Sequence, residues 1–347
     1  MIWGFLRIAN LLALIGIQCV TSDTPALADQ SLVASWRLYA HRFITAEGRV
    51  VDNANGDVSH SEGQGYAMLL AERLDDRETF TKIWRWTKEH LFIRSDALAA
   101  WRWDPNARPN VLDDNTATDG DLLIAWALSN AATRWNVADY ADAALRIADA
   151  LATEVVAPSQ FGPILLPAVK GFGRADQRDG PVVNLSYWIF PALEHLRTVS
   201  GTADWNAIAR TGENLIRSAR FGPRRIPTNW IALAGNEPAP ALSFPAVFGY
   251  DAIRIPLYLA WTKSSAREVL RSFPSLELAV IDVRTGQARE MLADPDYQAI
   301  AALMECANSN PHASLNKLDY NGQFYYPASL HLLSLVAARD VNSGCLE

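Results

Sequence analysis

A chain of 347 residues that is 50% hydrophobic and 20% charged, with 19 Gly and 18 Pro, can bury a large core and is excluded from the disordered, collagenous and low-complexity classes. Thirty-one basic residues against 38 acidic ones leave a net charge of -7, and no Lys/Arg-rich run supplies the positive footprint a nucleic-acid partner needs. Twelve Trp residues suit either a thick core or a stacking surface.

Residues 1–28 read as a secretory leader, with Arg7 as its positive start, an apolar stretch over 11–17, and Ala26-Leu27-Ala28 as a small-x-small cleavage site. The stretch, interrupted by Asn10 and Gln18, falls short of the roughly 20 apolar residues of a stable membrane span. The expectation is a periplasmic or secreted protein. No linker divides residues 29–347, which predicts one domain. Export places Cys306 and Cys345 where a disulfide can persist; a bridge and two buried thiols both fit. Neither has the neighbours of a zinc site.

Amphipathic runs of helical period cover 32–43, 63–74, 77–92, 120–135, 140–155, 185–199, 206–219, 252–261, 297–307 and 326–338, with a shorter segment at 266–271. Helical hairpins of about 50 residues cannot each bury an apolar face alone, so they must stack as a solenoid or a closed ring. One small β-hairpin is expected around Thr285-Gly286. The long loops 95–118 and 158–183 carry Trp, Gly, Pro and Asp, and loops of that length are usually functional.

Three acidic segments share a design: Ser61-Glu62-Gly63-Gln64-Gly65-Tyr66, Ala117-Thr118-Asp119-Gly120-Asp121 and Gly249-Tyr250-Asp251-Ala252-Ile253-Arg254. Each carboxylate comes where a helical run begins, so an N-cap role is the plain alternative. Stacked hairpins would instead align these starts at one mouth. Several carboxylates there, with many Trp residues in an exported chain, point to glycoside hydrolysis, in which an acid and a carboxylate divide the work. An EF-hand begun at Asp113 fails, with Thr118 at the Gly position and Ile124 at the bidentate Glu position. Ser61 lacks the partners of a serine hydrolase.

The run from Ala117 to Leu128, closing with Trp135, resembles the long signature of glycoside hydrolase family 8. The segments around Glu62 and Asp251 resemble that family's acid and base segments, in the same order. The resemblance spans about residues 34–262 and loosens beyond Lys263. It implies an all-α fold, an (α/α)6 barrel, and an inverting endo-β-1,4-glucanase that needs no cofactor and no metal. Among family members the spacing looks most like those that accompany bacterial cellulose synthase, which implies a β-1,4-linked polysaccharide substrate and a cellulose synthase assembly as partner. Chitosan, xylan and mixed-linkage glucan are alternative substrates, and a non-catalytic polysaccharide-binding scaffold is an alternative of another class.

Carried over residue by residue, the resemblance makes Glu62 the general acid, Asp251 the base that activates water, and Asp119 the residue holding the sugar at the cleavage point. Arg254, one turn after Asp251, would keep the base ionised, and Tyr250 would orient the water. Asp121 is expected to cap or brace its helix. Trp101, Trp103 and Tyr187 are expected to contact sugar; Tyr187 lies in Asn184-Leu185-Ser186-Tyr187, where the family usually has Pro in place of Leu185. Trp84, Trp86, Trp126, Trp135 and Trp188 are expected in the core.

Overall fold

A computed structural model describes residues 24–273, 276–308, 315, 318–341 and 345–346. Most of the expected leader, residues 1–23, lies outside the described residues. The helices are α1 (Thr24–Phe43), α2 (Ser61–Arg73), α3 (Arg77–His90), α4 (Thr118–Trp135), α5 (Ala138–Glu154), α6 (Phe190–Leu196), α7 (Trp205–Ser218), α8 (Arg254–Trp261), α9 (Ala266–Leu270), α10 (Gln298–Asn308) and α11 (Tyr325–Asp340).

Side-chain pattern sorts them into two layers. In α3 and α7 the buried residues form one stripe, such as Phe80, Ile83, Trp86 and Thr87, whereas α8 and most of α2, α4 and α11 are buried on every side. A helix that is apolar or small all round belongs inside, and a striped one outside. Accordingly α2 packs on α4, α4 on α6, α6 on α8, α8 on α11 and α11 back on α2. Around them α3 lies on α2, α5 on α4, α7 on α6, α9 on α8, and α1 and α10 on α11. Among the described residues five inner helices form a ring inside six outer ones, the all-α layering of an (α/α)6 barrel with one inner helix fewer, and the ring is the one of the two arrangements that stacked hairpins allow.

Two glycines let the first inner helices touch where the acids lie. A Cβ on Gly120 would stand 2.2 Å from Ser61 Oγ and 2.7 Å from the Glu62 nitrogen, and one on Gly65 would stand 2.6 Å from Leu123 Cβ. Only a residue without a side chain allows this approach.

The expected helix over 185–199 is broken. Asn184 accepts a hydrogen bond from the Ser186 nitrogen at 3.1 Å and starts a 3-10 turn, Leu185–Tyr187. Non-helical Trp188 and Ile189 follow, and α6 begins anew with Pro191 in its first turn, where a missing N–H costs nothing. The expected hairpin is present as Ala279–Asp282 paired with Ala288–Met291, and Val247–Phe248 adds a third strand. Three further small antiparallel sheets were not anticipated: Ser59–His60 with Arg102–Trp103, Val156–Ser159 with Gly162–Leu165, and Val182–Val183 with Ile231–Ala232 and Ala239–Pro240. Strands of two to four residues are too short for alternation to show. Cys306 and Cys345 form a disulfide, which decides between the bridge and the free thiols.

Candidate active site

Glu62 and Asp119 are the second residues of α2 and α4, and Asp251 lies three residues before the start of α8. The N-cap positions of α2 and α4 are His60 and Ala117, and neither makes a side-chain cap bond. Capping therefore does not account for Glu62 or Asp119.

What joins the three acids is Arg254, the first residue of α8, whose side chain is 1% exposed. Its Nη1 donates to Glu62 Oε2, to Asp119 Oδ2 at 2.9 Å and to the Tyr66 hydroxyl at 3.1 Å. Its Nη2 donates to Ser186 Oγ at 3.0 Å and to Asp251 Oδ1 at 3.1 Å. The guanidinium lies 5.6 Å from the centre of the Tyr187 ring. Arginine cannot lose its proton here, so one permanent charge faces three carboxyls.

Exposure separates the carboxyls. Glu62 keeps 20% of its side chain exposed and Asp251 29%, while Asp119 keeps 1%. Glu62 and Asp251 line an open cleft of about 630 Å³, together with His60, Tyr250, Tyr297 and Tyr326. Burial pushes Asp119 up to about 7; Arg254 pulls it down and the Glu62 charge adds to the rise. Desolvation also raises Asp251 above the ordinary carboxylate value, against the pull of Arg254. Asp121 is fully buried, raised well above its usual value by desolvation, and accepts from the Ala99 nitrogen at 2.9 Å. It thus braces the first long loop against α4.

The expected sugar contacts are distributed around this centre. Tyr250 is 42% exposed, and its hydroxyl donates to Glu290 Oε1 at 2.7 Å instead of meeting Asp251. Trp101 donates from Nε1 to Asp113 Oδ2 at 3.0 Å and stacks on His60, a cleft residue, at 6.1 Å and 16°. Trp103 is not brought to the acids: its ring packs edge-on against Trp86 at 5.5 Å, in a separate groove. Beyond Tyr187, Trp230 stacks with Phe172 and Phe244.

Sequence reasoning passed over Tyr66, Ser186 and Asn229. Tyr66 follows Glu62 by one helical turn and Ser186 precedes Tyr187, so both stood in quoted segments, though nothing local marked them as partners of Arg254. Asn229 Oδ1 accepts from the nitrogens of Gly249 at 2.9 Å and Ala252 at 3.2 Å, fixing the turn that carries Asp251. It is distant in the chain from the residues it holds, and no local pattern reveals it.

A helical barrel that gathers three carboxyls around one buried guanidinium, with two of them reaching an open cleft, has the make-up of a glycoside hydrolase. The family model described as glycosyl hydrolases family 8 matches residues 15–340, and the chain belongs to that family. A probable endoglucanase of Novacetimonas hansenii is 34% identical over 346 residues, covering 95% of this chain and 98% of the relative. An endoglucanase of Cellulomonas uda is 38% identical over 261 residues, covering 73% of this chain and 72% of the relative. Among solved structures, a family 8 endoglucanase of Klebsiella pneumoniae superposes with a TM-score of 0.79 at 34% identity, over 89% of this chain and 99% of that one. The endo-β-1,4-glucanase of Acetobacter xylinum gives 0.78 at 32% identity, over 90% and 99%.

Proposed function

We propose that this inverting glycoside hydrolase is an endo-β-1,4-glucanase, with Glu62 as general acid and Asp251 as the base that activates water. The observation that carries the roles is the arrangement at Arg254. Glu62 and Asp251 engage different nitrogens of one guanidinium and are the two carboxyls of the triad that reach the cleft. With the cation between them they do not touch, which suits a pair that works on opposite faces of a sugar with water beside one of them. Glu62 donates its proton to the glycosidic oxygen as the C–O bond breaks. Asp251 takes a proton from the water that attacks the anomeric carbon from the other side.

Asp119 shares Arg254 with both and, at 1% exposure, serves the cleavage point from behind the cleft wall, by holding Arg254 in place between the two carboxyls that face the sugar. Tyr250 lines the cleft, Trp101 adjoins it through His60 and Tyr187 through Arg254, and their aromatic faces accept the apolar C–H faces of glucose rings, while Arg254, 1% exposed, acts through the carboxyls it holds and not by touching sugar. Among the described residues no helix is long and apolar enough to cross a membrane. The finer reading is an exported enzyme, with residues 29–347 as one catalytic domain, that works beside a cellulose synthase assembly; co-purification of the two tests that partnership.

Reducing ends released from carboxymethyl-cellulose, chitosan and xylan, measured side by side, test the substrate class; a rate highest on chitosan or xylan overturns it. Glu62→Gln is expected to abolish turnover while oligosaccharide binding persists. A native chain inactive on every soluble β-glucan would favour the scaffold reading instead.

A further inference from the structure

The groove that holds Trp103 lies outside the cleft and shares none of its lining residues. Its volume is about 340 Å³, within the range of small ligand sites. Arg85 and Trp86 on α3 and Trp103 in the first long loop line it with Glu47, Arg49 and Glu89, and the Trp86 and Trp103 rings meet at 77°. Arg49 lies 5.1 Å from the centre of the Trp103 ring and is held by the Asp57 carbonyl at 2.7 Å and Ser59 Oγ at 3.2 Å. The guanidinium and the indole thus form one fixed platform.

The chemistry around the platform selects an occupant. Arg85 and Glu89 are exposed on α3, one turn apart, and Glu47 stands opposite them with Arg49. Two cations and two carboxylates leave the rim balanced, so a polyanion or a polycation would meet like charges while a neutral polymer would not. Indole and guanidinium planes accept C–H faces of sugars, and the charged rim offers donors and acceptors to hydroxyls. The Trp101 indole N–H is spent on Asp113, whereas that of Trp103 has no acceptor among the described residues and is not sealed from solvent. The ladder of Ser59–His60 with Arg102–Trp103 joins the two places: His60 lines the cleft and Trp103 lines the groove.

We infer that this groove is a second binding site for a neutral β-1,4-glucan chain, which anchors the polymer outside the catalytic cleft. It rests on the substrate class proposed above. The test uses affinity electrophoresis of the full chain in gels containing hydroxyethyl cellulose, in a Glu62→Gln background so that the polymer is not cut. The double variant Arg85→Ala with Glu89→Ala changes only exposed side chains, and Trp103→Ala removes the platform.

The expected result is binding weakened about threefold by the double variant and about tenfold by Trp103→Ala, as loss of one aromatic platform implies. With Glu62 intact, cellopentaose turnover by the double variant should stay within about twofold of the native rate, since no substrate-cleft contact is lost. Equal retardation of parent and double variant, with cellopentaose turnover intact in both, would overturn the second site and leave the functional reading standing. A native chain that does not cleave cellopentaose would overturn the functional reading, and the second site with it.

Discussion

Replacing Arg254 by Met removes a single cation that is 1% exposed and binds Glu62, Asp119 and Asp251 at once. Withdrawing one partner of a buried pair costs about 3 to 5 kcal/mol unless the abandoned carboxyl takes up a proton, and here protonation is the cheaper outcome. Arg254 is the chief influence that lowers Asp119 and Asp251 against desolvation, so both must rise without it. Asp119, already at about 7, becomes protonated through neutral pH. Asp251 must be ionised to activate water, so the acid limb of kcat/KM is expected to move upward by about one pH unit or more, each unit costing tenfold on that limb.

The assay is kcat/KM on a soluble β-1,4-glucan from pH 4 to 9, with Arg254→Lys as companion. Lysine keeps the charge but not the planar fork, and should recover the limb's position better than the rate. A limb that stays in place for Arg254→Met, under a uniform fall in rate, would refute the claim that Arg254 sets the ionisation of the base.

Three further outcomes follow. Trp101→Ala should lower kcat/KM by about 1 to 3 kcal/mol at unchanged melting temperature; unchanged kinetics with a large fall in melting temperature would make Trp101 a structural anchor of the loop. Asp119 binds its proton more tightly folded than unfolded, because its value is raised from 3.8 to about 7, so stability should be greatest below about pH 4 as far as this group is concerned. That contribution is lost as pH rises to 7, up to about 4 kcal/mol in all, and thermal melts of Asp119→Asn should lack the slope. Reducing the Cys306–Cys345 bridge, with 39 residues of separation, should cost about 4 kcal/mol on the chain-entropy model, read by denaturant titration with and without reductant.

The helices were legible because burial imprints itself on period, but their layers were not: 77–92 and 120–135 both read as amphipathic runs, and only packing shows one buried stripe on α3 and burial nearly all round on α4. The same logic failed at 185–199, where the apolar period continues through Trp188 and Ile189 but the Asn184 side chain and Pro191 impose a turn and a restart. The three acids were legible because each stands in the first turn of a helix or just before one, within a glycine-containing segment. Their common partner was not: Arg254 could be placed beside Asp251 from spacing within one turn, but its bonds to Glu62 and Asp119 depend on ring closure, which brings α8 to the starts of α2 and α4. Trp101 and Trp103, two residues apart in one loop, were both expected to contact sugar, with Trp101 the better match to the family's stacking position. Pairing of Arg102–Trp103 with Ser59–His60 sends the first to His60 and the second to Trp86, a distinction made by contacts distant in the chain.

The claim that Asp251 acts through water is tested most directly by the configuration of the first product. Proton NMR of a cello-oligosaccharide digest, recorded before mutarotation, should show the α-anomer appearing first, as inversion of a β-linkage requires, with the Glu62 and Asp251 carboxyls about 6.5 to 9.5 Å apart in a substrate complex. A β-anomer as first product, or a glycosyl group trapped on Asp251, would contradict it and make that residue a nucleophile.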